Sequence, residues 1–323
     1  MYPRLSDLLT DLFGITLPFS IYSFGFMVAV AILVAGWLAG QELDRMYGLG
    51  LLPSVTTKEK TKDALGREKE QTVQASPSVL VTAMMGLAAL FGVLGAKLFH
   101  ILENLDDFAQ DPLELIFSTG GLTFFGGLIA GTLGVAWYVR KKGLPVGRVA
   151  DAIGPTILLG YGIGRIGCYL AGDGDWGICS NLANKPSWIP AFLWSETFPR
   201  NYMEVNVLEY TAGQMQQAGM DASVCASATG VYPTMLYETA MCLVLFAVLW
   251  ALRKHRYGAG WLFGLTLVAL GVERFLIEHI RVNNVGDLFG IPVTQAQVIS
   301  VVLVVVGLVI AARTMKKTPA VAA

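Results

Sequence analysis

The chain has 323 residues, 54% of them hydrophobic and only 15% charged, against about 25% charged in an ordinary soluble domain. Long apolar runs such as Ile299 to Ala311, interrupted only by Ser300, replace the missing charge and argue against a soluble globular enzyme. A net charge of −1 gives no basic field, so no nucleic acid is expected as a partner, and four cysteines are too few for a disulfide scaffold.

Taken in chain order, residues 1–19 place Leu5, Leu8, Leu9, Leu12 and Phe13 at helical spacing, which predicts a short helix lying on a membrane surface. Asp7 and Asp11 stand where a cleaved signal peptide would be basic. Seven segments then reach the roughly 20 apolar residues that a helix needs to cross the hydrocarbon core: about 20–40, 78–102, 121–139, 149–171, 232–252, 260–280 and 291–312. The expected fold is an all-α polytopic membrane protein, since barrel strands would be about 10 residues long and alternating. Spans one to four occupy 20–171 and spans five to seven occupy 232–312. Residues 41–76 are expected to form a charged cytoplasmic loop, 172–231 a small external cap, and 313–323 a cytoplasmic tail. Cys179 and Cys225 both fall in the cap, where a disulfide is permitted. Cys168 and Cys242 lie within spans and read as packing residues.

Orientation follows from the basic residues between spans. Sixteen of the 23 lysines and arginines fall in 41–76, 140–148, 253–256 and 313–317, and only Arg4, Lys185, Arg200 and Arg281 fall on the other side. This places the N-terminus outside and the C-terminus in the cytoplasm.

Charges inside spans are costly and therefore functional candidates. At about 1.5 Å of rise per residue, Arg165 and Arg274 each lie roughly 10 Å below the outer surface. Lys97 and Glu238 share that level on two further spans. Arg274, Glu278 and Arg281 are spaced i, i+4, i+7 on one helical face, and Glu273 is turned about 100° away. Two readings stay open. The charges are buried ion pairs, Arg165 or Arg274 with Glu238 or Glu278, that hold the bundle together. Alternatively, the arginine forks and Lys97 bind a phosphate head group in the outer leaflet.

Gly160, Gly162 and the following residues of 160–167 formally contain G-x-G-x-x-G, but within an apolar helix, so the nucleotide reading fails its context. Gly160, Gly164 and Gly167 are expected to give a flat face for helix packing and room beside Arg165. Asp173 and Asp175 follow at the membrane exit as candidates to bind a cation, orient an arginine or act as a base. His and Cys show no zinc-type spacing, so no metal site and no cofactor are expected.

These segments resemble the prolipoprotein diacylglyceryl transferases. Gly164-Arg165-Ile166-Gly167-Cys168-Tyr169-Leu170-Ala171-Gly172-Asp173, followed by Gly174-Asp175-Trp176-Gly177, is similar to the family's Gly-Arg-Ile/Leu-Gly-Asn-Phe-x-Asn-Gly-Glu, aromatic, Gly. Gly120-Gly121-Leu122-Thr123-Phe124-Phe125-Gly126-Gly127-Leu128 is similar to Gly-Gly-Met-Ser-Phe-His-Gly-Gly-Leu. Tyr232-Pro233-Thr234-Met235-Leu236-Tyr237-Glu238 is similar to His-Pro-Ser-Gln-Leu-Tyr-Glu, and Arg274-Phe275-x-x-Glu278-x-x-Arg281 to Arg-Phe-x-x-Glu-x-x-Arg. Gln297-x-x-Ser300 opens the last span as in the family.

The resemblance implies an enzyme of the bacterial cytoplasmic (inner) membrane with its site facing the outer leaflet. Such an enzyme moves the diacylglyceryl group of phosphatidylglycerol onto the lipobox cysteine of a preprolipoprotein, with its signal peptide and membrane lipid as partners. It implies Arg165 and Arg274 as the essential arginines, oriented by Glu238 and Glu278. Lys97, Gly126, Gly127, Gly177, Tyr237 and Arg281 are the expected substrate contacts. The family's histidine is Phe125 here, the histidine before the proline is Tyr232, and the tyrosine of the first span is Phe24. The thiol base is therefore open among Asp173, Asp175, Glu278, His100 and His279, or the arginines act without one. Two other readings are carried along: a non-catalytic paralogue that binds phospholipid head groups, and an anion transporter, which would need charge at the membrane midplane.

Overall fold

The computed structural model describes residues 1–62, 68–117, 123–283, 285–288 and 291–315. The Gly120–Leu122 part of the second motif and the end of the tail lie outside the described residues. The described residues form two compact units, Met1–Ala35 with 153–315, and Gly36–Ala152.

The first unit opens with α1 (Leu5–Phe13), closed by Gly14 in a left-handed conformation. Its start is tied to the next element by Leu5 N–H on the Ile21 carbonyl at 2.7 Å and Ser23 N–H on that of Pro3 at 2.9 Å. Leu12 and Phe13 remain exposed, as a helix lying on an apolar surface requires. α2 (Ser23–Gly48) runs from this unit into the second.

In the second unit β1 (Val55–Lys62) and β2 (Glu68–Ala75) pair antiparallel, Val55 opposite Ala75 and Thr57 opposite Val73. The expected charged loop over 41–76 is thus the end of a helix followed by a two-stranded ribbon. Threonine and valine suit paired backbone, and Lys58 reaches Glu70 across the ribbon at 2.9 Å. α3 (Val81–Glu103), the short α4 (Leu105–Gln110) and α5 (Pro112–Phe117), and α6 (Phe124–Lys141) complete the unit. α3 and α6 meet backbone to backbone: a Cβ on Gly126 would lie 2.5 Å from the Gly95 carbonyl, and one on Gly127 2.9 Å from that of Gly92.

α7 (Val146–Ala171) returns to the first unit with Pro155 in its interior. Of the three glycines expected to form a packing face, Gly167 is tightly packed, its Cβ position 2.9 Å from Met27, while Gly160 meets Ala35 at ordinary contact distance. Gly164 has nothing within 4 Å, so it leaves space instead of closing it. Gly162 does the packing on that stretch, 3.0 Å from Cys242.

Residues 172–231 contain β3 (Cys179–Ser180), α8 (Val207–Gln217) and β4 (Gly230–Val231), with β3 and β4 antiparallel. A Cys179–Cys225 disulfide closes a 46-residue separation, and Trp176, Phe198 and Val231 are buried together with Met235. α9 (Thr234–Leu252) and α10 (Trp261–Glu278) follow; then β5 (Val285–Leu288) and β6 (Ile291–Thr294) form a hairpin before α11 (Gln295–Arg313).

Among the described residues, four helical segments are long and apolar enough to cross a membrane: Ser23–Gly48, Pro77–Leu102, Thr234–Leu252 and Gln295–Arg313. The three other expected spans are also helices, α6, α7 and α10, of 18, 26 and 18 residues. This is a helical membrane protein. α10 and α11 pack through glycine: a Cβ on Gly264 would lie 2.7 Å from the Gly307 carbonyl, and one on Gly271 2.6 Å from that of Ser300. Small residues let spans approach this closely. Gly264→Leu should therefore destabilise the protein by about 1–3 kcal/mol through overpacking, measured as a lower thermal unfolding midpoint in detergent micelles.

Candidate active site

The first unit gathers its charges around one carboxylate. Glu238 sits one turn into α9, is fully buried, and is flanked by α7 and α10. Arg165 on α7 donates its Nε to Glu238 Oε2, and its Nη2 lies in ion-pair contact with the same oxygen. Tyr161, one helical turn earlier, donates its hydroxyl to Glu238 Oε1 at 3.0 Å. Arg274 Nη1 and Arg281 Nη1 approach the same oxygen at 3.7 and 3.6 Å.

Two further carboxylates complete the cluster. Asp175 joins Arg165 Nη1 through one oxygen and Arg281 Nη2 through the other, the latter at 2.8 Å. Burial alone would raise the Asp175 pKa, but Arg281 and Arg165 outweigh it and hold it at about 2. Glu278, one turn after Arg274 on α10, takes Arg274 Nη2 at 2.8 Å and the Thr294 hydroxyl at 2.5 Å.

The backbone around Gly177 sets these distances. Gly177 N–H bonds the Tyr232 carbonyl at 2.8 Å, and Ile178 N–H bonds that of Ile280 at 2.9 Å. This draws the segment carrying Asp175, the entry of α9 and the exit of α10 together. A Cβ on Gly177 would stand 2.4 Å from the Ile280 carbonyl. Thr234 at the start of α9 donates to the Asp175 carbonyl at 2.7 Å. α10 ends at Glu278, so Arg281 reaches the cluster as an extended residue bridged to Gly177, not from a continuous helical face.

Asp173 stands apart from the salt bridges. Its Oδ1 accepts the Asp175 N–H at 3.3 Å, and burial together with the neighbouring Asp175 raises its pKa. Cys168 Sγ, Asp173 and Asp175 offer ligand atoms within 4.8 Å of one another. Arg165 Nη1 lies 3.4 Å from that sulfur and both oxygens of Asp175 face arginines. A cation there would meet two guanidinium groups, so the donor set suits an anion better.

Arg165, Arg274, Glu238, Glu278, Asp175 and Arg281 thus come together, and the ion pairs foreseen as one alternative are present. They do not displace the phosphate reading: Arg274 keeps 28% of its side chain exposed beside them. Tyr237 turns its hydroxyl to the Leu193 carbonyl. Lys97, Gly126 and Gly127 belong to the second unit, where the glycines seat α6 against α3. The side chain of Phe125 lies outside the described residues. Glu273 is buried on α10, and its Oε1 has no hydrogen-bond partner among the described residues. Cys168, read as packing, is buried with Trp176, Phe198 and Met235 and also contacts Arg165. Tyr161 and Thr294 were not singled out; the i−4 spacing of Tyr161 from Arg165 and the T-x-x-Q pattern before α11 are the signals that could have found them.

The family model described as prolipoprotein diacylglyceryl transferase matches residues 11–313. Among curated proteins, the phosphatidylglycerol–prolipoprotein diacylglyceryl transferase of Corynebacterium diphtheriae is 28% identical over 86% of this chain and 91% of its own length. The protein of that name from Vibrio vulnificus (strain YJ016) is 28% identical over 93% of this chain and 89% of its own. That from Xylella fastidiosa (strain M12) is 33% identical over 76% and 81%.

Because Glu238 compensates the buried Arg165, Glu238→Ala should cost about 3–5 kcal/mol of stability, the penalty for orphaning one partner of a buried pair. Glu278→Ala, facing the partly exposed Arg274, should cost less; thermal unfolding of both purified variants tests the order.

Proposed function

This chain belongs to the prolipoprotein diacylglyceryl transferase family, and on that premise we propose that it moves the diacylglyceryl group of phosphatidylglycerol onto the lipobox-cysteine thiol of preprolipoproteins. The C–O bond between the diacylglyceryl carbon and phosphate breaks, a C–S thioether forms, and glycerol phosphate leaves. The observation that carries the reading is the convergence of Arg165, Arg274 and Arg281 on Glu238. Guanidinium forks match phosphate oxygens bidentately. Charge grows on the phosphate as it departs, and fixed cations stabilise that growth more than the ground state.

Asp173 is the proposed base for the thiol. Asp175 is held at about 2 by two arginines and is too weak a base. Both oxygens of Glu278 are engaged with Arg274 and Thr294. His279 is exposed, with Nδ1 at the Phe275 carbonyl, and His100 belongs to the second unit. Asp173 takes the Asp175 N–H and a hydrogen bond from the Cys168 side chain but pairs with none of the arginines, and its raised pKa makes it the better acceptor. The thiol proton goes to Asp173 as sulfur attacks carbon.

The proposed topology has seven spans with the N-terminus outside and residues 172–231 external, in a bacterial inner membrane, with the site facing the outer leaflet. It is supported by the basic residues gathered on the opposite side and by the Cys179–Cys225 disulfide, a bond of oxidising compartments. In this frame the 172–231 segment receives the incoming signal peptide.

Purified protein in phosphatidylglycerol vesicles with a lipobox peptide is the test, reading peptide mass and released glycerol phosphate. Arg165→Ala and Arg274→Ala should each abolish transfer in protein that still inserts; near-normal rates in both would sink the phosphate clamp. Asp173→Asn should lower kcat by about 10²–10⁴ with lipid binding kept. The acidic limb of the pH–rate profile should vanish with it, because the base works only above its raised pKa. Lipid binding without any transfer would favour the non-catalytic head-group reading instead.

A further inference from the structure

Thr294 is the N-cap of α11 and is buried. Its hydroxyl oxygen accepts the Gln297 N–H at 3.2 Å, while Gln297 Oε1 accepts the Thr294 N–H at 3.0 Å, closing a capping box. A backbone N–H can only donate, so the cap uses the hydroxyl as an acceptor and leaves its single proton for another partner. That partner is Glu278 Oε1 at 2.5 Å, and the other oxygen of Glu278 takes Arg274 Nη2 at 2.8 Å.

The chain of contacts therefore runs from the α11 cap to an arginine of the candidate site. Glu278 is the last residue of α10, where helical hydrogen bonding ends and side chains are least constrained by their own helix. Without a second anchor, the Glu278 carboxylate would rotate with Arg274. Thr294 supplies that anchor from a different helix, and the capping box fixes Thr294 in turn.

We propose that Thr294 is a positioning residue for the transfer reaction: through Glu278 it aims Arg274 at the lipid phosphate. The proposal rests on the phosphate role given to Arg274 above. It differs from an ordinary capping role in one respect. Ser, Asp and Asn all serve as N-caps, but a helix cap does not need the proton that Glu278 receives.

The decisive comparison is Thr294→Ser against Thr294→Asp in the full-length protein. Ser keeps both functions, whereas Asp keeps the cap acceptor and loses the donor. Two quantities are read for each: transfer kinetics in phosphatidylglycerol vesicles, and affinity for a short-chain phosphatidylglycerol in micelles without peptide. Ser should match the unsubstituted protein in both. Asp should weaken lipid affinity and raise KM for the lipid by about tenfold, the scale of one hydrogen bond to a charged group, and its carboxylate against the buried Glu278 should also lower the thermal midpoint below that of Ser. If the unsubstituted protein binds the lipid but transfers nothing, the transfer reading falls, and the order of the lipid affinities alone decides the positioning. Equal lipid affinities and kinetics for Asp and Ser would overturn the proposal, as would a loss in Ser as large as that in Asp, or no phosphatidylglycerol binding by the unsubstituted protein. Should the Asp variant fail to insert, Thr294→Val measured with and without Glu278→Gln replaces it. Val must then weaken lipid binding alone and add nothing once Glu278 is changed; additive losses would overturn the proposal.

Discussion

Glu238 is a carboxylate with no solvent exposure, set one turn into an otherwise apolar helix. Taking such a group out of water costs several kcal/mol unless cations and donors satisfy it. Its surroundings consist of such donors: Arg165 through Nε, the Tyr161 hydroxyl, and the more distant Arg274 and Arg281. The arginines in turn could not be held at this level without it, since each would be a bare cation among apolar spans. The ion pairs do not stand against the proposed head-group role. Carboxylates hold the guanidinium groups in place, and in the proposed reaction most of that arrangement persists when an anion arrives.

Close backbone approach makes this arrangement possible. Helices that pack on large side chains keep their axes 8–10 Å apart, and polar groups on them then meet only through long, mobile side chains. Glycine removes that spacer at Gly162 against Cys242, Gly167 against Met27, and Gly264 against Gly307. Gly177 does the same for irregular backbone, where a hydrogen-bonded bridge to Arg281 leaves no space for a Cβ. The apolar glycine contacts and the polar cluster are thus two parts of one geometry. Thr294 extends it to α11 by putting a cap hydroxyl against the carboxylate that ends α10.

Much of this was legible in the sequence because the membrane imposes depth. Arg165, Glu238 and Arg274 could be matched by counting residues from span ends, and they do meet. Helices likewise stand where apolar runs predicted them, since a run of about 20 apolar residues has few alternatives. What sequence could not supply was anything that depends on exit geometry. Arg281 appeared to extend the helical face of Arg274, but the helix stops at Glu278 and a bridge to Gly177 delivers it. Gly164 looked like a packing glycine, yet its neighbours fall away. The ribbon over 55–75 was hidden by charge, because lysine and glutamate suggest a solvated loop even when threonine and valine between them suit paired strands. Lys97 had been counted at the same depth and belongs to the second unit.

Charge balance gives the cluster its chemical character. Arg165, Arg274 and Arg281 face Glu238, Glu278 and Asp175, so the group is close to neutral without a ligand. An incoming phosphodiester must then take hydrogen bonds from one of the carboxylates. The three are not equivalent: Asp175 has 40% of its side chain exposed, whereas Glu238 and Glu278 have 0% and 1%. Water can solvate a displaced Asp175 but could not reach the other two without opening the helices. In the proposed reaction the buried pair therefore acts as fixed scaffold and Asp175 as the exchangeable partner. In the same proposal Asp173, two residues away and outside the salt bridges, is left to meet the thiol at the edge of the cluster.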